Sequence, residues 1–304
     1  MEEGGFQDVC ESAACTQGAE VPERAAIRVV TDSAASLSKE VQEKEGISVI
    51  PIYIQVGPQT YREGQDISAQ EFYQKLDSSE EVPTTSGPPP GEFAALYRKI
   101  AQSARQILSI HVTGAASATC HSARLAAQAV PEAQVTVYDS RSVSMGTGFL
   151  AIEAARAARQ GLSVEEIVQK LDAIRSKLRV FAAIPTLKYL RRSGRVTQGQ
   201  AILASLLSIK PVIEIVNGQV ELVDKVRSYS RALERVVELA VKAAGRMPVH
   251  VAVMHANCLD EARRFAETVK QRLNVKQLLI GEVGAALAVH GGPGMIGIVF
   301  YPAE

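Results

Sequence analysis

An α/β fold is predicted here, with an N-terminal parallel-sheet α/β domain followed by a smaller C-terminal α+β domain. Two features of the sequence predict it. From Ile27 to about residue 160, β-branched runs alternate with helix-period segments, the rhythm of strands joined by helical crossovers. Beyond that point a hairpin signal at Asn217-Gly218 interrupts the rhythm, and strands mix with helices less regularly. The boundary is expected near residues 155–165. This gives a flexible tail over 1–25, an α/β domain over 26–160 and an α+β domain over 161–304.

The elements follow in order. "IRVVTDS" is a β-branched strand ending in polar turn residues, and "ISVIPIYIQV" a second strand in which Pro51 marks an edge or a bulge. "SAQEFYQKLDSS" and "EFAALYRKIAQSA" repeat apolar residues at helical spacing. "QILSIHV" and "QVTVYDS" are strands, each followed by a small-residue helix, the second stopped at Gly161. In the C-terminal half, "LSVEEIVQKLDAIRSKL" is an amphipathic helix, "VFAAIP" a strand and "TLKYLRRSGRV" a short helix stopped at Gly194. "PVIEIVNGQVELVDKV" is a hairpin, 228–245 a long helix, "HVAVMHA" a strand, 259–273 a helix and "GIVFY" a closing strand.

Composition excludes several classes. Lys plus Arg equals Asp plus Glu at 33 each, so nucleic acid is not the expected partner, since phosphate binding needs an excess of positive charge. No apolar run approaches the ~18 residues of a membrane span. The acidic, small-residue-rich N-terminus has no apolar core and reads as neither a signal nor a transit peptide, which implies the cytoplasm. The four cysteines are expected as free thiols, and no metal is expected, because the Cys10/Cys15 spacing lacks a second ligand pair. A monomer is expected.

Polar residues gather where a parallel sheet binds ligands, beyond the carboxyl ends of its strands. Those ends carry "TDSAAS", "VTGAASATC" and "DSRSVSMGTG". "GTGFLA" has the spacing of a dinucleotide fingerprint without its context, and close packing of a helix start on the sheet is the preferred reading. "EVPTTSGPPPGEF" holds Thr84, Thr85 and Ser86 on a stiff extended segment before three prolines. Ser117 or Thr119 is placed to cap the helix after "AASATC", a start that favours an anion. "VHGGPG" puts His290 in a glycine turn. Its likeness to an esterase oxyanion loop raises a hydrolase alternative that would use Ser117 and His290. That alternative lacks a G-x-S-x-G elbow and an assigned acid. Lys188, Arg191, Arg192 and Arg195 exceed what one helix terminus needs and suit either helix-end design or a partner or phosphate patch.

Seven blocks in order, "RVVTDSAASLS", "VPTTSGPPPGEF", "ASATCHSA", "VYDSRSVSMGTG", "TLKYLRRSGRV", "KPVIEIVNGQVELVDKVRS" and "VHGGPGMIGIVFY", resemble the DegV family over about residues 26 to 302. The resemblance implies an α/β domain, an α+β domain and one long-chain fatty acid (C14–C18) in a tunnel between them. It implies a carrier that is not itself an enzyme, with no cofactor beyond its lipid. In the fatty acid kinase binding-subunit (FakB) type, such a carrier presents the acyl carboxylate to a separate kinase for acyl phosphate formation and phospholipid synthesis. By resemblance the carboxylate ligands are Thr85, Ser117 and His290, with Ser86 and Thr119 beside them. The basic cluster, with Arg227, is the implied kinase-docking face. Two departures from the family pattern bear on the pocket: Ala118 stands for a glycine and Gly87 for a glutamine; the family's Gly-Gly-Arg is also Ser193-Gly194-Arg195 here.

Overall fold

The computed structural model describes residues 27–78, 83–195 and 209–303. The expected tail over 1–25, with Cys10 and Cys15, lies outside the described residues. The first domain is a parallel sheet in the order β2-β1-β6-β7, built from β1 (Ile27–Asp32), β2 (Ile47–Ile50), β6 (Gln106–His111) and β7 (Gln134–Asp139). Beside it, β3 (Tyr53–Val56), β4 (Gln59–Arg62) and β5 (Thr84–Ser86) form a small antiparallel sheet in the order β4-β3-β5. The run expected as one strand is thus two strands in different sheets. They part at Pro51, which has no N–H to continue a ladder.

The second sheet runs β10-β9-β8-β13-β11-β12. It comprises β8 (Arg179–Ala183), β9 (Lys210–Val216), β10 (Gln219–Val226), β11 (Val249–His255), β12 (Val275–Glu282) and β13 (Ile296–Pro302). All its pairs are antiparallel except β11 with β12. The hairpin turns at Asn217 and Gly218, with φ of 50° and 81°, the backbone that an Asn-Gly pair adopts at low cost. β12 was not expected. Its mixed burial hides the two-residue period that marks a strand. The C-terminal domain, expected to be the smaller, carries the wider sheet.

Helices fill the layers. α1 (Lys39–Glu45) is capped by Ser38 and stopped by Gly46. α2 (Ala69–Ser78) follows β4, and α3 (Pro90–Ala101) begins on a proline, where a missing N–H costs nothing. α3 and α4 (Thr119–Gln128) pack on one face of the parallel sheet through Phe93, Tyr97, Ala123 and Ala126. α5 (Met145–Arg159) lies between the two sheets and is buried nearly all round, which its small residues permit. A Cβ at Gly148 would stand 2.8 Å from the Ala35 carbonyl oxygen. The glycines of "GTGFLA" therefore serve close packing, as preferred above. α6 (Val164–Lys177) starts with a Ser163/Glu166 capping box. α7 (Leu187–Ser193) ends at Gly194, while α8 (Tyr229–Ala244) and α9 (Leu259–Arg272) cover the far face of the mixed sheet. α10 (Ala285–Gly291) sits between β12 and β13 in the chain.

Candidate functional site

A cavity of about 410 Å³ lies between the first domain and the mixed sheet. Val220, Ile213, Phe181, Val299 and Met254 line it from β10, β9, β8, β13 and β11 in turn. It therefore crosses four strand spacings, about 19 Å. Ala34, Ile52, Val112 and Val143 close it from the first domain. The wall is predominantly apolar, with a few polar groups: Thr85, Ser86, Ser117, Ser144, His290 and Arg195.

Each polar group arrives on a different element. Thr85 is the middle residue of β5, an edge strand held against Ile54 of β3, where the following prolines need no ladder partner. Ser117 closes a turn after β6 in which its N–H donates to the Thr113 carbonyl at 3.1 Å. Its Oγ accepts the Thr119 N–H at 3.2 Å and lies 2.8 Å from the Thr119 hydroxyl. Thr119 itself is fully buried behind Ser117 and does not line the cavity. Ala118 has φ −77° and ψ −2°, ordinary angles, so its departure from the family glycine brings no strain. At Gly87 a Cβ would stand 2.9 Å from the Thr119 hydroxyl oxygen, so β5 approaches α4 closely there.

His290 was expected on a tight glycine turn. It sits instead in the last turn of α10, and the glycines after it end the helix, Gly292 with φ 77°. The run "AALAV" is too short and too uniformly apolar to show a helical period. The His290 Nε2 lies 3.2 Å from Thr85 Oγ1. Its Nδ1 is buried with no partner among the described residues. Burial pulls the imidazole down to about 4, and the Arg195 guanidinium adds to the effect. His290 is thus a neutral ring at neutral pH, its remaining exposure facing the cavity wall.

Arg195, one of the four cations of the basic cluster, borders the cavity. Lys188, Arg191, Arg192 and Arg227 are exposed. Val226 pairs with Lys210, whose ammonium donates to the Pro185 carbonyl just before α7. Arg227 therefore lies toward the same end of the sheet as α7. Ser144 was not singled out. It is buried at φ 50°, a strained backbone for serine, with its Oγ 3.3 Å from Ser36, itself at φ 55°. The hydroxyl-rich "DSRSVSMGTG" was the available signal.

The hydrolase set is not assembled. Ser117 is bonded to Thr119, His290 to Thr85, and no carboxylate among the described residues meets His290 Nδ1. Asp32, His111 and Ser109 do form an acid–imidazole–hydroxyl chain, at 2.9 and 2.7 Å, but all three are fully buried. Among the described residues no cluster of His, Cys, Asp or Glu could hold a metal, and no helix is long and apolar enough to cross a membrane.

A parallel-sheet domain joined to a mixed-sheet domain, with an apolar cavity between them and hydroxyls and one imidazole on its wall, defines a two-domain α/β protein with an interdomain pocket. The chain belongs to the DegV family, whose model, described as an uncharacterised protein of the DegV family, matches residues 26–303. A DegV domain-containing protein of Streptomyces coelicolor is 36% identical over 275 residues, 90% of this chain and 97% of that one. The solved structure of a fatty-acid-binding DegV family protein from Thermus thermophilus superposes with a TM-score of 0.85 at 33% identity, covering 91% of this chain and all of the other. A stearic-acid-binding protein from Eubacterium ventriosum also gives 0.85, at 29% identity, covering 91% of this chain and 98% of the other.

Proposed function

We propose that this chain binds one long-chain fatty acid, C14–C18, in the interdomain cavity and presents its carboxylate to a separate kinase that forms the acyl phosphate. The observation that carries the binding is the cavity itself: an apolar trough spanning five strands, with donors gathered on its wall. The solved relatives that bind fatty acid, one of them stearic acid, support it.

The hydrogen-bond pattern suits a carboxylate. With Nε2–H donating to Thr85 Oγ1, His290 leaves the threonine proton free to point at an acceptor. With the Thr119 hydroxyl donating to Ser117 Oγ across 2.8 Å, the Ser117 proton is likewise available. Ser86 stands beside Thr85 on the cavity wall, and Thr119 acts from behind by orienting Ser117. Arg195 supplies positive potential near His290. Hydroxyl donors hold the anion without a buried full counter-charge, leaving a carboxylate oxygen open to phosphorylation. The acyl chain contributes about 0.8 kcal/mol per buried methylene.

The protein is a carrier of the cytoplasm and a monomer, divided near residues 155–165, and the chemistry belongs to its partner. The exposed Lys188, Arg191, Arg192 and Arg227 form the docking face for that kinase. Mass spectrometry of an organic extract from natively purified protein tests the binding. One equivalent of a C14–C18 acid, lost in Ser117→Ala or His290→Ala, is the expected result. Repeated lipid-free preparations that also take up no added acid refute it. For the docking face, Arg191→Glu/Arg192→Glu should leave lipid content unchanged and abolish acyl phosphate formation by a fatty acid kinase.

A further inference from the structure

A second space lies behind the acyl cavity. It is an open groove of about 830 Å³ between the first domain and β12, with the apolar Met145, Ile152 and Leu279 set in a lining that is otherwise largely polar. Among the described residues, Met254 alone borders both spaces. It is 2% exposed and belongs to β11, the last strand the cavity reaches on that side.

The surroundings of Met254 leave it room to move. Its cross-strand neighbours are both glycines, Gly281 on β12 and Gly297 on β13. A Cβ at Gly281 would stand 3.0 Å from Met254 Cε and 3.2 Å from its Sδ, so the thioether lies over the space that this glycine leaves open. Gly281 borders the groove and Gly297 the acyl cavity, so the strand that carries Met254 runs between the two spaces, with the methionine tip on the Gly281 side. A thioether with three rotatable bonds fills such a gap without a fixed shape. Of the polar groups, His290 and its partner Thr85 are set along α10 from the start of that helix. α10 runs along the cavity, with Ala286 in its first turn and His290 in its last, about 6 Å further along the helix axis. Val283, just before the helix, lines the wall on the side away from His290.

We propose that Met254 is the end wall for the acyl chain and sets the longest chain the cavity accepts, an assignment that rests on the fatty-acid reading above. Removing its side chain joins the cavity to the groove, and a longer tail then runs through beside Met145, Ile152 and Leu279. Filling Gly281 presses the thioether back toward the cavity and shortens the accepted chain.

The test measures Kd for saturated acids from C12 to C22 on delipidated full-length protein. Met254→Ala is expected to raise affinity for C20 relative to C16 by at least about tenfold, and Gly281→Ala to move the optimum the other way. Met254→Leu, which keeps the volume, is expected to keep the original optimum and serves if the alanine variant does not fold. Binding by the unaltered chain with a length profile that neither Met254→Ala nor Gly281→Ala moves overturns the Met254 assignment alone. No binding by the unaltered chain overturns the carrier reading and this assignment with it.

Discussion

Two histidine networks sit in this molecule, and they differ in what is left unsatisfied. In the first, His111 is held between Asp32 and Ser109, Ser109 contacts the Tyr97 hydroxyl at 2.8 Å, and the Phe93 ring stands edge-on at 5.1 Å. Asp32 also accepts the Val112 and Ala34 N–H groups. Every member is sealed from solvent and partnered. In the second, the His290 ring bonds only to Thr85 among the described residues, its Nδ1 has no partner there, and its hydroxyl neighbours face a cavity. An imidazole and hydroxyls build both, but only the first has a carboxylate. A closed, fully satisfied network holds structure, whereas an open one with donors to spare is where a ligand fits.

The largest expected effect breaks the first network. Asp32→Ala leaves two buried N–H groups and an imidazole without their acceptor and should cost about 3–5 kcal/mol, read as a fall in the urea midpoint. The same residue fixes Ala34 and Val112, both on the cavity wall, so its loss should also loosen the pocket. Full stability together with lost lipid binding would mean that the sealed network is a site after all.

The second network should respond in the opposite way. Ser117→Ala removes one donor to a charged ligand, worth about 1.5–3 kcal/mol, so acid binding should weaken at least about tenfold while unfolding shifts by under about 1 kcal/mol. Ser109→Ala, the same substitution in the sealed network, should show the reverse ratio. Titration calorimetry beside urea unfolding of the two variants sharpens the comparison. Equal effects of both on binding would erase it.

A smaller effect is the pH dependence. The unfolded His290 titrates near an ordinary 6.5 and the folded one near 4, so the unfolded chain takes up the proton first as pH falls. Stability is therefore full above pH 6.5 and drains between 6.5 and 4, by at most about 1.4 kcal/mol per pH unit. His255, also lowered by burial, adds to the drain, while Glu63, raised by burial, opposes it. The difference between the protein and its His290→Gln variant isolates the imidazole. A bound carboxylate raises the His290 pKa, so the loaded protein should lose less than the delipidated one over this window. Identical pH profiles for loaded and delipidated protein would separate His290 from the ligand.

Much of this was legible in the sequence because the signals were local. Strand–helix alternation, the Asn-Gly turn and the hydroxyl-rich strand ends all lie within single segments. What stayed hidden depended on distant partners. The pairing of Asp32 with His111 spans 79 residues, and the Thr85–His290 contact spans 205. The family resemblance supplied the second pairing and the spacing of the residues did not. Glu63 shows the same limit. It reads as an ordinary charged residue after a strand, yet it is buried against Ser33 and accepts the Ala286 N–H in the first turn of the helix that carries His290. Met254 looked like one more apolar strand residue until the spaces on either side of it were known.

The two departures from the family pattern give the finest test, because the structure assigns them unequal weight. Ala118 already has ordinary helix-start angles, so Ala118→Gly gains no relief of strain. It only loosens the unfolded chain, and stability should fall by less than about 1 kcal/mol with binding unchanged. Gly87→Gln should behave differently. Its Cβ would press on the Thr119 hydroxyl, which shares its hydrogen bond with Ser117. Moving that hydroxyl turns the Ser117 proton away from the ligand, so Gly87→Gln should weaken acid binding by a few-fold at nearly unchanged stability. Calorimetric titration of both variants with the same acid decides the matter. If Ala118→Gly alters affinity and Gly87→Gln does not, the close approach of β5 to α4 is not what orients Ser117.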